Sequence, residues 1–199
     1  MAVKQVYYGY DRQAEPATGE FPYCPYCQSR LQQREIGDRQ RGACPECGFV
    51  QFRNPAPTVS VVIVEEGQVL LGKRGGPPGE GMWSFPAGYV EWDDDFLTAA
   101  RQEAKEETGL EVELQSVVNV VSSFLTPRYH FLSLYLLARP VGGRLVAGSD
   151  LLEVAWVPLT GPWPDIVFEE DRAVLEMLAA GDFQALPVDP AFARPGGAR

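Results

Sequence analysis

Apolar and polar positions along this chain alternate with two different periods. Thr58–Glu65 and Gln68–Lys73 are dense in β-branched and aliphatic residues, and only Glu66-Gly67 separates them, which predicts two strands joined by a tight turn. Glu111–Phe124 and Arg128–Arg139 predict a second pair about Leu125-Thr-Pro127, with two-residue alternation visible in YHFLSLYLL. Two stretches follow the helical period instead. The first runs from about Asp94 to Thr108: Asp93, Asp94 and Asp95 can cap its first turn, where unpaired N–H groups and the helix dipole favour negative charge, and Gly109 suits a left-handed stop. The second, Phe168–Ala180, carries Val174, Leu175 and Leu178 as an apolar stripe that should cover one sheet face, with Gly181 as its end. Asn54-Pro-Ala-Pro57 reads as a domain junction, because two prolines fix φ and withhold donors. The expected organisation is an N-terminal tail over 1–20, a small module over 21–54, a larger domain over 55–186 and a loose tail over 187–199.

The acids of the first helix do not read as a solvated face. At about 100° per residue, Glu103, Glu106 and Glu107 share the sector of Phe96, Ala99 and Ala100, while Thr98, Arg101, Gln102 and Lys105 lie opposite. Carboxylates three and four apart repel one another, and burying them is costly unless a cation neutralises the site. Hard oxygen donors of this kind suit Mg²⁺ or Mn²⁺.

The four cysteines form Cys24-x2-Cys27 and Cys44-x2-Cys47, the spacing of a zinc ribbon, and Gly48 supplies the tight turn after the second knuckle. Two disulfides are the competing reading; without a secretion signal, zinc is favoured. So small a module buries little apolar surface, so the metal would supply its folding energy. Its arginines, Arg30, Arg34, Arg39, Arg41 and Arg53, exceed Glu35, Asp38 and Glu46 by two and are scattered in sequence, so nucleic-acid binding is not expected. A formal charge of −10 points the same way and also argues against an anionic membrane surface. Met1–Glu20 has no apolar signal core and the longest apolar runs are too short to span a bilayer, so a cytoplasmic protein is expected.

From Gly88 to Leu110 the sequence resembles the Nudix box, G-x5-E-x7-R-E-U-x-E-E-x-G-U, where U is bulky and apolar. Gly88, Glu103, Glu106, Glu107, Gly109 and Leu110 match; Asp94 stands for the first glutamate, Gln102 for the arginine, and Ala104 is a small apolar residue. The Asp94–Gln102 departure would replace a bracing ion pair with a shorter-reaching hydrogen bond to a neutral amide. The resemblance implies an α+β fold: a Nudix α/β/α sandwich with a mixed sheet, preceded here by a small β zinc ribbon. Ribbon plus WSFPAGYVE is similar to the enzymes that cleave ADP-ribose, FAD or NADH to a nucleoside monophosphate and a phosphorylated remainder.

The resemblance implies the metal ligands, base and phosphate contact, and the residues themselves suggest the rest. Glu103, Glu106 and Glu107 would hold Mg²⁺ (or Mn²⁺), with the Gly88 carbonyl as a further ligand. Glu106 is the first choice of base. The second is Glu153, in a late strand Glu153–Pro158, and Arg74 is a phosphate contact at the head of a Gly-Pro loop. Phe124–Tyr129 and Trp163–Phe168 could flank the site, with Phe124 stacking a base, whereas Trp83–Pro86 reads as packing under the loop. His130, the only histidine, reads as a surface or core imidazole. The expected partner is a small-molecule nucleotide, with a homodimer left open. The alternatives are a triphosphate pyrophosphohydrolase of the MutT type, and a non-catalytic nucleotide-sensing or ribbon-led binding protein.

Overall fold

The computed structural model describes residues 4–11, 13–14, 21–148 and 150–194. In chain order these form β1 (Val6–Tyr8), β2 (Gln32–Ile36), β3 (Arg39–Ala43), β4 (Ala56–Glu65), β5 (Gln68–Arg74), β6 (Trp83–Ser84), β7 (Ala87–Tyr89), α1 (Phe96–Thr108), β8 (Leu110–Thr126), β9 (Tyr129–Gly143), β10 (Leu151–Pro158), α2 (Glu169–Ala180) and β11 (Leu186–Pro187). Two compact units emerge, one of Met1–Tyr7, Ala56–Ser123 and Phe131–Arg199, the other of Tyr8–Pro55 and Phe124–His130.

The first unit is built on a mixed sheet. Its strand order is β1-β8-β9-β4-β5-β10, with β6 beside β5, β7 beside β4 and β11 beside β8. Period-two alternation in β4 explains the layering. Val59, Val61 and Ile63 point to one face, where they pack with Ala99, Ala100 and Ala104 of α1; Val62 points to the other, where it packs with Val174, Leu175 and Leu178 of α2. The two helices therefore cover opposite faces, the sandwich expected from the resemblance. Three alanines at α1's contact let that helix lie close to the sheet, so the small residue at the box's apolar position is fully buried (Ala104, 0% exposed).

The turn at Glu66-Gly67 forms with both residues at positive φ (47° and 76°), but β4 and β5 pair only at Val64↔Val69 and Glu65↔Gln68. Beyond that β7 takes over the same edge of β4, through Thr58↔Tyr89 to Ser60↔Ala87, while the other edge lies parallel to β9 from Ala56↔Phe131 to Ile63↔Ala138. The expected hairpin is thus a two-pair hinge, because the glycine loop needs that edge.

Segments of the expected N-terminal tail and of the expected loose C-terminal tail are bonded to the sheet. Val6–Tyr8 is a strand beside β8, with Ser122 N–H donating to the Gln5 carbonyl at 2.9 Å. At the other end Leu186 and Pro187 pair with Val117 and Ser116; Val188 N–H donates to Gln115 O, and Leu114 N–H to Ala193 O, both at 2.9 Å. Arg101, assigned by the helical wheel to the polar side, donates to Phe192 O at 2.6 Å, and Arg194 pairs with Glu113 at 3.2 Å. The physical reason is an open strand edge: β8 has main-chain groups that must find partners, and a Pro-rich segment can supply them without regular structure of its own. In the second unit β2 and β3 form a separate two-stranded hairpin. Among the described residues no helix is long and apolar enough to cross a membrane.

Ending the chain at Ala185 should therefore lower the unfolding free energy by about 2–4 kcal/mol, the order of the two main-chain hydrogen bonds, the Arg101 bond to Phe192 O and the burial of Ala193. Urea unfolding of the truncated and full chains measures it, and unchanged stability would show the segment to be a loose tail after all.

Candidate functional site

The site is assembled where the β6–β7 connection crosses the C-terminal half of α1. Helix α1 starts at Asp95, whose carboxylate accepts from Leu97 N–H and Thr98 N–H at 2.9 Å each, and ends at Gly109 (φ 74°). The capping residue is thus Asp95. Among the described residues no Asp94–Gln102 hydrogen bond forms, so the brace expected between those two positions is absent. The loop is fixed from the other side. Ala87 N–H donates to Glu107 Oε2 at 3.0 Å, and Pro86 O accepts from Val61 N–H at 2.8 Å. Gly88 lies so close to Glu103 that a Cβ would overlap its carboxylate. A side chain at this position, whose φ is not positive, would oblige the Glu103 carboxylate to move away from the loop.

Electrostatics at this point are those of crowded, partly desolvated anions. Burial pushes the Glu107 carboxyl up to about 7, aided by Glu103 and Asp150 and opposed by the Ala87 N–H bond and Arg74. Burial also raises Glu103, with Glu106, Asp150 and Glu91 adding to it. Glu106 itself is exposed. Asp150 is the group sequence reasoning missed: it precedes β10, and its backbone carbonyl accepts from Gly75 N–H at 2.8 Å. Glu153, expected to join the cluster, is instead within 3.9 Å of Lys73 Nζ, its side chain 56% exposed.

Arg74 ends β5. Its Nε donates to Pro78 O at 2.7 Å and its guanidinium lies 5.4 Å from the Phe168 ring, while its charge reaches both Glu107 and Asp171. Phe124 does not serve as a stacking platform. Near-parallel rings sit against it at 5.2 Å (Tyr8) and 3.7 Å (His130), and two rings that close cannot share a face, so both of its faces are covered. His130 is the second partner of that stack. Trp163 packs against the core on the α2 side with its indole N–H on Pro158 O at 3.1 Å, leaving Phe168 as the aromatic near Arg74. Trp83–Pro86 is packing, as its sequence suggests: Phe85 is buried and meets Tyr135 edge-on at 6.0 Å.

Beneath the loop lies a second group the sequence did not reveal. Asp171, in the first turn of α2 and 3% exposed, accepts from Phe85 N–H at 3.1 Å and from Tyr135 O–H at 2.7 Å. Glu170 beside it accepts from Ser123 O–H at 2.6 Å. Asp171 stands three, four and seven residues before Val174, Leu175 and Leu178, on the apolar stripe itself; a carboxylate at that phase was the signal available.

Among the described residues, the one cluster of three or more such groups whose ligand atoms converge within 4.8 Å is Cys24, Cys27, Cys44 and Cys47. None is in a disulfide, and neighbouring sulfurs lie 3.4–3.6 Å apart. Zn–S bonds of about 2.3 Å in a tetrahedron require edges near 3.8 Å, so shifts of a few tenths of an ångström in these pairs would suit Zn²⁺. The box carboxylates stand farther apart.

Burial pushes the Asp171 carboxyl up to about 7, so between pH ~4 and ~7 the folded state holds a proton the unfolded state has released. Its contribution to stability is therefore largest at low pH and is lost as pH rises toward 7. Relative to wild type, Asp171→Asn should gain in melting temperature steadily across that range. A difference that does not change with pH would show that Asp171 does not titrate there.

The family model for the NUDIX domain matches residues 54–178, more than half of the chain. An ADP-ribose pyrophosphatase of Methanocaldococcus jannaschii is 31% identical over 128 residues, which are 64% of this chain and 75% of that protein. A NAD-capped RNA hydrolase of Pseudomonas aeruginosa is 31% identical over 141 residues, and there the match spans 48% of the relative's length. A crystal structure of a NUDIX hydrolase from Nitrosomonas europaea superposes with a TM-score of 0.69 at 26% identity, covering 81% of this chain and 94% of that one. A glycine loop laid on a glutamate-bearing helix, in a sandwich with this strand order, and these matches lead to one conclusion: the chain belongs to the Nudix hydrolase family.

Proposed function

We propose that the protein hydrolyses the pyrophosphate bond of a nucleoside diphosphate linked to a second moiety, of the ADP-ribose, FAD or NADH type, releasing a nucleoside monophosphate and the phosphorylated remainder. The observation that carries this reading is the packing of Ala87–Gly88 on Glu103 and Glu107, with Arg74 as the cation whose charge reaches the Glu107 carboxylate. The similarity to an ADP-ribose pyrophosphatase, which this chain covers over three quarters of its length, supports the substrate class.

Glu103, Glu106, Glu107 and the Gly88 carbonyl would hold Mg²⁺ or Mn²⁺. Such an ion, when bound, neutralises pyrophosphate oxygens and makes water more acidic. The chain's own residues supply the rest. The Ala87 N–H orients the Glu107 carboxylate; Arg74 offers a planar guanidinium to the substrate phosphates; and a carboxylate takes a proton from the attacking water. Exposed Glu106 is the first choice of base. Glu153, held near Lys73, is a weaker second choice, and Asp150 joins the set through its field on Glu103 and Glu107.

Glu106→Gln or Glu107→Gln should lower kcat by at least about a hundredfold with melting temperature retained, because each substitution removes a negative ligand or base. Glu153→Gln should cost less. ADP-ribose, FAD and NADH should exceed dGTP and 8-oxo-dGTP in kcat/KM, which reports differential transition-state binding. A triphosphate ahead by more than about tenfold would move the reading to the MutT-type activity, and full turnover by the double Glu106→Gln, Glu107→Gln variant would reduce the acids to scaffold.

Cys24, Cys27, Cys44 and Cys47 are proposed to hold one structural Zn²⁺. Elemental analysis of the purified chain should give one zinc per chain, and its removal should lower stability more than catalysis, since the acids lie in the other unit. Absence of zinc, with two disulfides found by mass spectrometry, would be the contrary result.

A further inference from the structure

The arginines of the ribbon are scattered in sequence but not in space. Strands β2 and β3 pair Arg34 directly with Arg41, and Ile36 with Arg39. Directly opposed residues project to the same side, and so do residues two apart on one strand, so Arg34, Arg39 and Arg41 occupy one face of the hairpin. The Ala43–Val50 bridge and the Gln51 N–H bond to Gly42 O (2.8 Å) bring the following segment alongside β3. That places the Phe52 ring against the Arg41 guanidinium at 4.6 Å, with Phe52 still 57% exposed. A groove of about 160 Å³ runs beside it, lined by Arg39, Arg41, Gly42, Gln51 and Arg53 among others.

This face is not internally neutralised. Asp38 lies 4.0 Å from Arg39, whereas among the described residues no carboxylate comes within 4.0 Å of Arg34, Arg41 or Arg53. Arg41 Nε is buried and has no hydrogen-bond partner. Like charges directly opposite one another across a hairpin destabilise it, and an unpaired buried guanidinium N–H adds to the cost. A bound anion relieves both. The formal charge of −10 does not forbid this, because fields decay over about 8 Å at physiological salt, and a ligand at this face meets guanidinium groups first.

We infer that the Arg34/Arg39/Arg41/Arg53 face of the ribbon, with Phe52, is a binding site for single-stranded nucleic acid. Its backbone phosphates are met by the arginine row along β3 and one base stacks on Phe52. A cationic groove flanked by an exposed aromatic is the arrangement that holds a single strand with little sequence preference. An inorganic polyanion would use the arginines and ignore the ring, which separates the two sources of phosphate.

The test is fluorescence anisotropy with a 15-nucleotide unstructured RNA, using the full chain at 50–200 mM salt. The wild type should bind with a dissociation constant that rises with salt. Arg34→Gln/Arg41→Gln/Arg53→Gln should weaken binding at least tenfold and reduce the log–log salt slope by roughly 0.7 for each phosphate that no longer meets an arginine. Arg41→Lys should keep most of the slope. Phe52→Ala should weaken RNA binding about fivefold and leave competition by inorganic polyphosphate unchanged. Without ligand, the triple Gln variant should melt no lower than the wild type, since it removes the Arg34–Arg41 repulsion. Equal binding by wild type and the triple Gln variant would overturn the site. Unchanged RNA binding by Phe52→Ala, with polyphosphate competing as well as RNA, would overturn the nucleic-acid assignment. Binding is read without turnover, so failure of the proposed hydrolysis would leave this result standing, and the reverse.

Discussion

Two carboxylates of one helix are held against the backbone of a loop, and most of the larger unit is arranged to make that tolerable. Glu103 and Glu107 are one helical turn apart, each raised by burial and by the other's charge or its neighbours'. Left alone, such a pair would swing into water. Here the Ala87 N–H takes one oxygen of Glu107, and the missing side chain of Gly88 makes room for Glu103. The cluster keeps a net negative field at the loop, toward which a cation would be drawn.

Holding the loop down takes support from three directions. Strand β7 is hydrogen-bonded to β4, and β4 gives up its pairing with β5 after two residues to accept it. From below, Asp171 ties Phe85 N–H to the Tyr135 hydroxyl, so the residues just before the loop are anchored to β9 and α2 together. From the side, the segment before β10 crosses α1: Gly148 N–H donates to Glu107 O at 2.8 Å, carrying Asp150 toward the acids. Each contact relies on main-chain geometry and one small or buried residue rather than on long side chains, which keeps the loop in a single position.

Legibility followed sequence distance. Helix α1, its Gly109 stop, the second helix and the cysteine cluster could all be read, because each is specified by residues within a few turns of one another. The parallel pairing of β4 with β9, the pairing of the C-terminal segment with β8 and the strand at the N-terminus could not, since no local pattern states which distant edge is vacant. The site divides the same way. The three glutamates of the helix were visible from spacing. Asp150 and Asp171 enter through tertiary contacts, and Phe124, expected to be a base platform, is already sandwiched by Tyr8 and His130. The Arg34–Arg41 row was missed for the same reason, since strand register alone sets residues seven apart on one face.

The chain also keeps its two donor chemistries apart. Soft thiolates lie within Cys24–Cys47 and hard carboxylates within Glu103–Asp150, each in its own compact unit. Thiolates select zinc over magnesium strongly, and carboxylates with backbone oxygen favour the hard, hydrated ion, so the two sets suit different metals. The separation reaches the net charge as well. Acids predominate in the larger unit, whereas the ribbon hairpin concentrates arginine. A formal charge of −10 is therefore unevenly spread, with acids crowded on one helix of the larger unit and guanidinium groups on one face of the hairpin.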